Sequence, residues 1–477
     1  MKRSIGSLIF LLLLVGTLHS QGRVEKQLSS GVSQARLLAT VRELVRAGPR
    51  TGGTKSGDRA AQYVARRFRQ AGFKPEIVQD PELLVYTNIK WSLKVEEPES
   101  LRKLIKNEWL AGYSPSAPKT KVPLVCVKEH ESLGKEEIEG RAVLVDGEFS
   151  LQFYKRLAEA GACCILLTSP RLLGAYSNWA MISELEASES NQIPLFNLSW
   201  NNGHRLKQAL SDSVKVVVRF SSQTLIAPGR PKTVIATLRG TTKDYYIVCA
   251  HGDSDSGGPG ADDNASGVSG VLELARVVNS LVQSKVLPTP QRTIRFIVWG
   301  REIHSTQSYV KTHADELGRI AGVINFDEIG TGASRDCLYL ESNDVKQNQQ
   351  MLKVLQDVAE DYVGKRGFWS EATTNPSQGG TDSYVFFPYS LGKLNVAEAK
   401  IPSITVYTAA WNELKRLKQT EGWISKAWKG PPDSVYIDYS AYYHSSLDIP
   451  QTTTEREPYN MVWAVKAVGI ALTRLAW

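Results

Sequence analysis

At 477 residues, 42% of them hydrophobic and 22% charged, the chain has the composition of a folded protein and the length for two to three domains. Its formal charge of +8 is scattered without a long basic run, which excludes the footprint of a nucleic-acid-binding protein. The five cysteines (Cys126, Cys163, Cys164, Cys249 and Cys337) show no Cys-x-x-Cys spacing, which excludes a zinc finger or a disulfide-framed small scaffold.

Lys2 and Arg3 open the chain, an apolar run follows from Leu8 to Leu18, and Ser20 precedes a polar stretch from Gln21. That is the plan of a secretory signal peptide over residues 1–20. The run is shorter than the ~20 residues that span a bilayer. The expectation is an exported protein, secreted or periplasmic, with no membrane attachment once the leader is removed. An odd number of cysteines in such a chain leaves at least one thiol unpaired.

From Ser33 to Gly72 apolar residues recur at helical spacing, first Leu37, Val41, Leu44 and Val45, then Ala61, Val64 and Phe68. The segment GPRTGGTKSGD between them predicts a loop joining two helices. Strands are predicted around Pro75–Val78 and Leu83–Tyr86. Near Pro115 the composition changes, and from Val122 to Phe220 short β-type runs (PLVCV, RAVLVDG, CCILLTS, VKVVVRF) alternate with helix-like stretches such as Phe153–Ala160. Residues 115–221 are therefore expected to fold around their own core, as an insertion into a domain made of residues 21–114 and 222–477. Asn197 and Asn264 each open an Asn-x-Ser sequon.

The second half alternates strand and helix. Lys232–Arg239, Asp244–Ala250, Thr293–Trp299, Ala321–Phe326 and Ile401–Tyr407 read as strands, and Gly267–Leu281 and Tyr459–Leu475 as helices. The fold class this predicts is α/β, with a mostly parallel, mixed central sheet flanked by helices. Ligands of such sheets sit outside the carboxyl ends of the strands. The loops in question follow Ala250, Trp299 and Phe326, and they hold His251, Asp253, Asp262 and Asp263, then Arg301 and Glu302, then Asp327 and Glu328. YYHSSLD near the end adds His444 and Asp448. Imidazole and carboxylate are the zinc ligands available where no thiolate is offered. Two histidines and three carboxylates suit two metals sharing one bridging carboxylate.

The chain resembles the two-zinc aminopeptidase family that includes plasma-type glutamate carboxypeptidases, glutaminyl cyclases and transferrin-receptor-like proteins. The matching pieces are His251-Gly252-Asp253-Ser254, then Gly260 to Gly267 (GADDNASG), Glu302 with Ser308 and Tyr309, Asn325-Phe326-Asp327 with Gly330, and Tyr443-His444 with Asp448. Gly48-Pro49-Arg50 and the helix after it look familial too, and the inserted segment resembles a protease-associated domain. The resemblance implies a zinc-exopeptidase-like fold holding two zinc ions. Asp263 would bridge them, His251 and Asp327 completing one site and Glu302 and His444 the other. Asp253 and Asp448 would orient the two histidine rings. A peptide or dipeptide would be the substrate, and a second copy of the chain is an admissible partner.

One position departs from the family, which has two consecutive glutamates where this chain reads Arg301-Glu302. The first of that pair is the general base, and a guanidinium stays protonated. His304 stands nearby where the family prefers glycine. Three readings follow. The base is supplied from elsewhere, Glu328 being the candidate; or the fold and metals persist in a catalytically impaired binding protein whose Arg301 holds an anion; or the chemistry is glutaminyl-cyclase-like, which also uses a glutamate at the first position, so that Arg301 counts against it equally.

Overall fold

The computed structural model describes residues 22–105, 109–128, 134–145, 149–168, 191–254, 258–331, 337–342, 346–362, 365, 371–376, 381–396, 399–408, 415–418, 434–437, 444–456 and 458–477. Residues 1–20, where a leader is expected, and Tyr443 lie outside the described residues.

Eight strands form the larger sheet, in the order Glu76–Gln79, Lys232–Leu238, Thr293–Trp299, Tyr245–His251, Ile320–Phe326, Ser403–Tyr407, Cys337–Ser342 and Glu371–Pro376. Its centre, from Thr293–Trp299 to Ser403–Tyr407, is parallel, and antiparallel pairs flank it on both sides. The sheet is mixed, as the residue pattern predicts. Both faces of the central strands are buried, so the strands read as continuous apolar runs rather than alternating ones. Tyr246, Val248 and Ala250 pack on one side, against helices Gln34–Arg46, Lys55–Gln70, Gly267–Gln283 and Tyr459–Ala476. Tyr245, Ile247 and Cys249 point the other way, toward Tyr309 and Val310 of helix His304–Thr312 and Leu391 of Pro388–Lys393.

Local chemistry explains the first helices. Ser33 accepts from the Arg36 amide and Thr54 from the Gly57 amide, each satisfying a donor at a helix start. Among the described residues no helix is long and apolar enough to cross a membrane.

A second sheet of seven strands runs in the order Leu83–Glu97, Val217–Gly229, Ala117–Val127, Ala142–Val145, Cys164–Thr168, Leu195–Leu198 and Trp109–Leu110. It has its own core on both faces, with Leu144, Leu166 and Phe196 on one and Val143, Val145 and Ile165 on the other. The sheet extends from residue 83 to residue 229, wider than the 115–221 expected from composition. Leu83–Glu97 alternates apolar residues with Asn88, Lys90, Ser92 and Lys94, which hides its length in a search for apolar runs.

Candidate metal centre

Three adjacent parallel strands end on the same side of the larger sheet. His251 is the last residue of Tyr245–His251 and pairs in register with Trp299, three residues before Glu302. Asp327 directly follows Phe326. The fourth contributor comes from a tight turn, Ala261–Ser266, that leads into helix Gly267–Gln283 and carries Asp263. The peptide bond after Asp263 is cis.

The turn is held by buried bonds from several parts of the chain. Asp448 Oδ1 and Oδ2 accept from the backbone amides of Asp262 and Asp263, at 2.7 and 3.0 Å. Its carboxylate therefore positions the backbone of Asp262 and Asp263. Asn264 donates to the Phe326 carbonyl at 2.9 Å and accepts from the Gly267 amide at 2.9 Å, tying the turn to the strand that ends at Asp327. Asp262 accepts from the Gly330 amide at 2.7 Å and from the Thr331 hydroxyl. Asn264 and Asn197 are fully buried, so neither sequon offers its amide for glycosylation in the fold.

Around this turn the side chains converge. His251 Nε2 lies 3.3 Å from Asp263 Oδ1 and 3.4 Å from Asp327 Oδ1, and ligand atoms of the three residues all fall within 4.8 Å of one another. On its other oxygen Asp263 meets His444 Nε2 at 2.9 Å. Asp253 Oδ1 is 3.2 Å from His251 Nδ1 and also accepts the Glu302 amide at 3.0 Å. Asp327 Oδ2 accepts from the Thr381 hydroxyl at 2.5 Å, whereas its Oδ1 is buried with no hydrogen-bond partner among the described residues. An orphaned carboxylate oxygen beside an imidazole nitrogen and a second carboxylate is a donor set that fits a divalent cation. Glu302 is outside the tight group of three, and its carboxylate reaches His251 as a charge.

Charge state follows from this crowding. Burial works against the protonated form of His251, yet Glu302 and Asp327, with hydrogen bonds to Asp253 and Asp263, hold its pKa well above the ordinary value. Burial also opposes ionisation of Asp263, but hydrogen bonds from His251 and His444 keep it well below the carboxylate range. Glu328 is pushed well up, first by burial and then by Asp263, Asp262, Asp327 and Asp448. Its Oε1 is buried without a partner among the described residues. Asp448 is raised likewise, by burial and by the charge of Asp262. A divalent cation reverses this logic, since it favours every ionised ligand near it.

The Arg301 loop is fixed by its backbone. Gly300, Arg301, Glu302 and Ile303 donate their amides to Thr233 Oγ1, Ser305 Oγ, Asp253 Oδ1 and Asp382 Oδ1 at 3.1, 2.8, 3.0 and 2.8 Å. Asp80 Oδ2 accepts from both Ser305 and Thr233 at 2.6 and 2.8 Å, closing the network from behind. A side chain at Gly52 would begin 2.3 Å from the Gly300 carbonyl oxygen and 2.9 Å from Arg301 Cβ, so only glycine lets these loops meet. His304 turns its Nε2 to the Pro81 carbonyl at 3.1 Å. Sequence reasoning missed Asp80, Thr381 and Asp382 because each lies far along the chain in a segment with no metal-like spacing.

Comparison with known proteins places this geometry. The model of peptidase family M28 matches residues 233–468. The probable lipoprotein aminopeptidase LpqL of Mycobacterium tuberculosis is 28% identical over 304 residues, 60% of this chain and 55% of LpqL. Aminopeptidase YwaD of Bacillus subtilis is 26% identical over 368 residues, 73% of this chain and 72% of YwaD. The chain thus spans little more than half the length of LpqL. Among solved structures, a peptidase M28 precursor from Shewanella amazonensis shares the fold with a TM-score of 0.67 at 18% identity, covering 96% of this chain and 97% of that one. BSAP, a zinc aminopeptidase from Bacillus subtilis, does so with a TM-score of 0.59 at 18% identity, covering 93% of this chain and 96% of its own. Through residues 233–468, with their strand-end histidine and carboxylates, the chain belongs to peptidase family M28.

Proposed function

We propose that this protein is a metal-dependent exopeptidase that removes residues from the end of a peptide, using two zinc ions. His251, Asp263 and Asp327 hold one ion, and Asp263, Glu302 and His444 the other. The observation that carries the reading is the Asp263 carboxylate, which presents one oxygen to His251 and the other to His444. The chemistry that zinc would supply, if held there, is polarisation of a substrate carbonyl and acidification of water. The chain's own part is to hold the ligands. Asp253 fixes the His251 ring and Asp448 the backbone of the bridging residue, while Thr381 turns Asp327 so that its free oxygen faces inward. Glu328 is the group placed to move a proton, since Arg301 cannot. The leader over residues 1–20 exports the protein, and residues 83–229 form an accessory domain of the protease-associated type.

A second reading is favoured by Arg301 itself, a fixed cation at the position of the family's base. It makes the protein a metal-containing binder of anionic or peptide ligands with impaired turnover. Zinc-loaded protein assayed on aminoacyl and dipeptide substrates separates the two. Turnover abolished by a chelator and by Asp263→Ala supports the exopeptidase. Bound zinc without turnover, together with no gain from Arg301→Glu, supports the binder.

A further inference from the structure

Arg50 lies on the loop between helices Gln34–Arg46 and Lys55–Gln70, yet it is wholly buried. Its guanidinium donates to three backbone carbonyls: Nε to Gly252 at 3.2 Å, Nη1 to Pro259 at 2.8 Å and Nη2 to Gly260 at 2.7 Å. Its amide donates to Ser254 Oγ at 2.8 Å. Gly252 immediately follows His251, and Gly260 comes three residues before Asp263. One planar fork therefore grips both ends of the segment that separates the terminal histidine from the bridging aspartate. Gly260 adopts φ +60°, and a Cβ there would sit 2.4 Å from the Asp263 carbonyl oxygen and 2.9 Å from Arg50 Nη2. The segment is built to be touched at that point.

Burying a guanidinium is costly, and a space-filling role needs only an apolar side chain. Burial pulls its pKa down to about 10 against the opposing charges of Asp448, Asp253 and Asp263. What arginine offers here is several donors in fixed directions, which lysine's single ammonium cannot reproduce.

We propose that Arg50 is a positioning residue of the metal centre, whose fork draws Gly252 and Gly260 together and so sets His251 against Asp263 for a divalent cation. The inference rests on the metal-centre reading above. Its test is zinc titration of the full-length, metal-stripped protein against a competing chelator, with cobalt(II) absorption as a probe of ligand geometry. Wild-type protein is compared with Arg50→Lys and Arg50→Met. Both variants are expected to keep a cooperative thermal transition, to lose zinc affinity by ~10–100-fold, and to show altered cobalt bands. Failure of Arg50→Lys separates fork geometry from charge. Wild-type affinity and bands in either variant overturn the proposal while leaving the metal centre intact. Absence of zinc binding by the wild-type protein overturns both. Should neither variant fold, Ser254→Ala decides, because it frees the Arg50 amide and keeps the guanidinium. An affinity loss of ~3-fold or more with unchanged melting of the metal-free protein supports the role, and unchanged affinity overturns it.

Discussion

His444 Nε2 stands 2.9 Å from Asp263 Oδ2, while the other oxygen of that carboxylate lies 3.3 Å from His251 Nε2. The two histidines are 193 positions apart in sequence and meet through one side chain. A shared carboxylate makes the two halves of the centre unequal in their response to mutation. Replacing His444 by alanine removes one ligand of one site, and zinc content is expected to fall from two ions to one per chain. Asp263→Ala removes a ligand from both and is expected to leave none. Metal analysis of dialysed protein checks this, and equal zinc content in the two variants would sink the bridging role.

The Arg301 loop makes a sharper forecast. Its four backbone amides are held by Thr233, Ser305, Asp253 and Asp382, none of which depends on the side chain at 301. Arg301→Glu should therefore keep the loop in place and restore a carboxylate at the position of the family's base. A positioned base contributes ~10²–10⁴-fold in rate, and the expected gain in kcat lies in that range. Removing a cation near the centre should also tighten zinc binding. A kcat equal to that of the parent protein, measured with zinc saturating, would show that the proton is handled elsewhere. Glu328→Gln then becomes the decisive variant.

The legibility of this fold in its sequence was uneven for physical reasons. Thr293–Trp299 matches its predicted bounds because its buried end, Phe296 to Trp299, is a compact apolar run closed by Gly300. Gly267–Gln283 is legible from its periodicity, and the convergence of His251, Glu302 and Asp327 from their place at or just after strand ends. Leu83–Glu97 runs past the Leu83–Tyr86 that its apolar residues predict because one of its faces is polar. Asp80 and Asp382 could not be read at all, since what makes them matter is burial against a loop more than seventy residues away. Arg50 stands in the Gly48-Pro49-Arg50 motif, but nothing local reveals that its donors end on carbonyls about 200 positions on.

Acidity supplies a third prediction, with its sign set by the raised groups. Burial, opposed in part by the charge of His251, lifts Asp382 to about 7, and it also lifts Glu328 and Asp448. Their unfolded values lie near 4. An acid whose folded pKa is raised contributes stability fully present below its unfolded pKa and lost as pH rises through the folded one. His251, also raised, contributes stability present below about 6.5 and lost as pH climbs past its folded value. Both act in one direction, so the metal-free protein should melt at a lower temperature at pH 8 than at pH 6. A divalent cation held by His251 would compete with the proton on that ring, so zinc affinity should rise over the same interval. Calorimetric titration in buffers of different ionisation enthalpy counts the protons released, and a count of zero would contradict this charge assignment.

Asp382 gives the last prediction, because it sits behind the loop rather than in the centre. Its Oδ1 accepts from the Ile303 amide at 2.8 Å and from the Thr306 hydroxyl, while Oδ2 is buried without a partner among the described residues. Ile303 has φ +57°, a conformation a β-branched residue adopts only when its surroundings enforce it. Asp382→Ala removes the acceptor and leaves a buried amide unsatisfied, which should cost about 1–3 kcal/mol. Ile303 is then free to relax, carrying the neighbouring Glu302 away from His251, so zinc affinity should fall together with stability. Asp382→Asn keeps an acceptor oxygen for both donors and removes a group that resists ionisation. Its stability at pH 8 should match or exceed that of the parent protein, with zinc affinity close to normal. Thermal melts and zinc titrations of the two variants check the argument. If asparagine fails as badly as alanine, the carboxylate's charge, and not its acceptor oxygen, is what holds the loop.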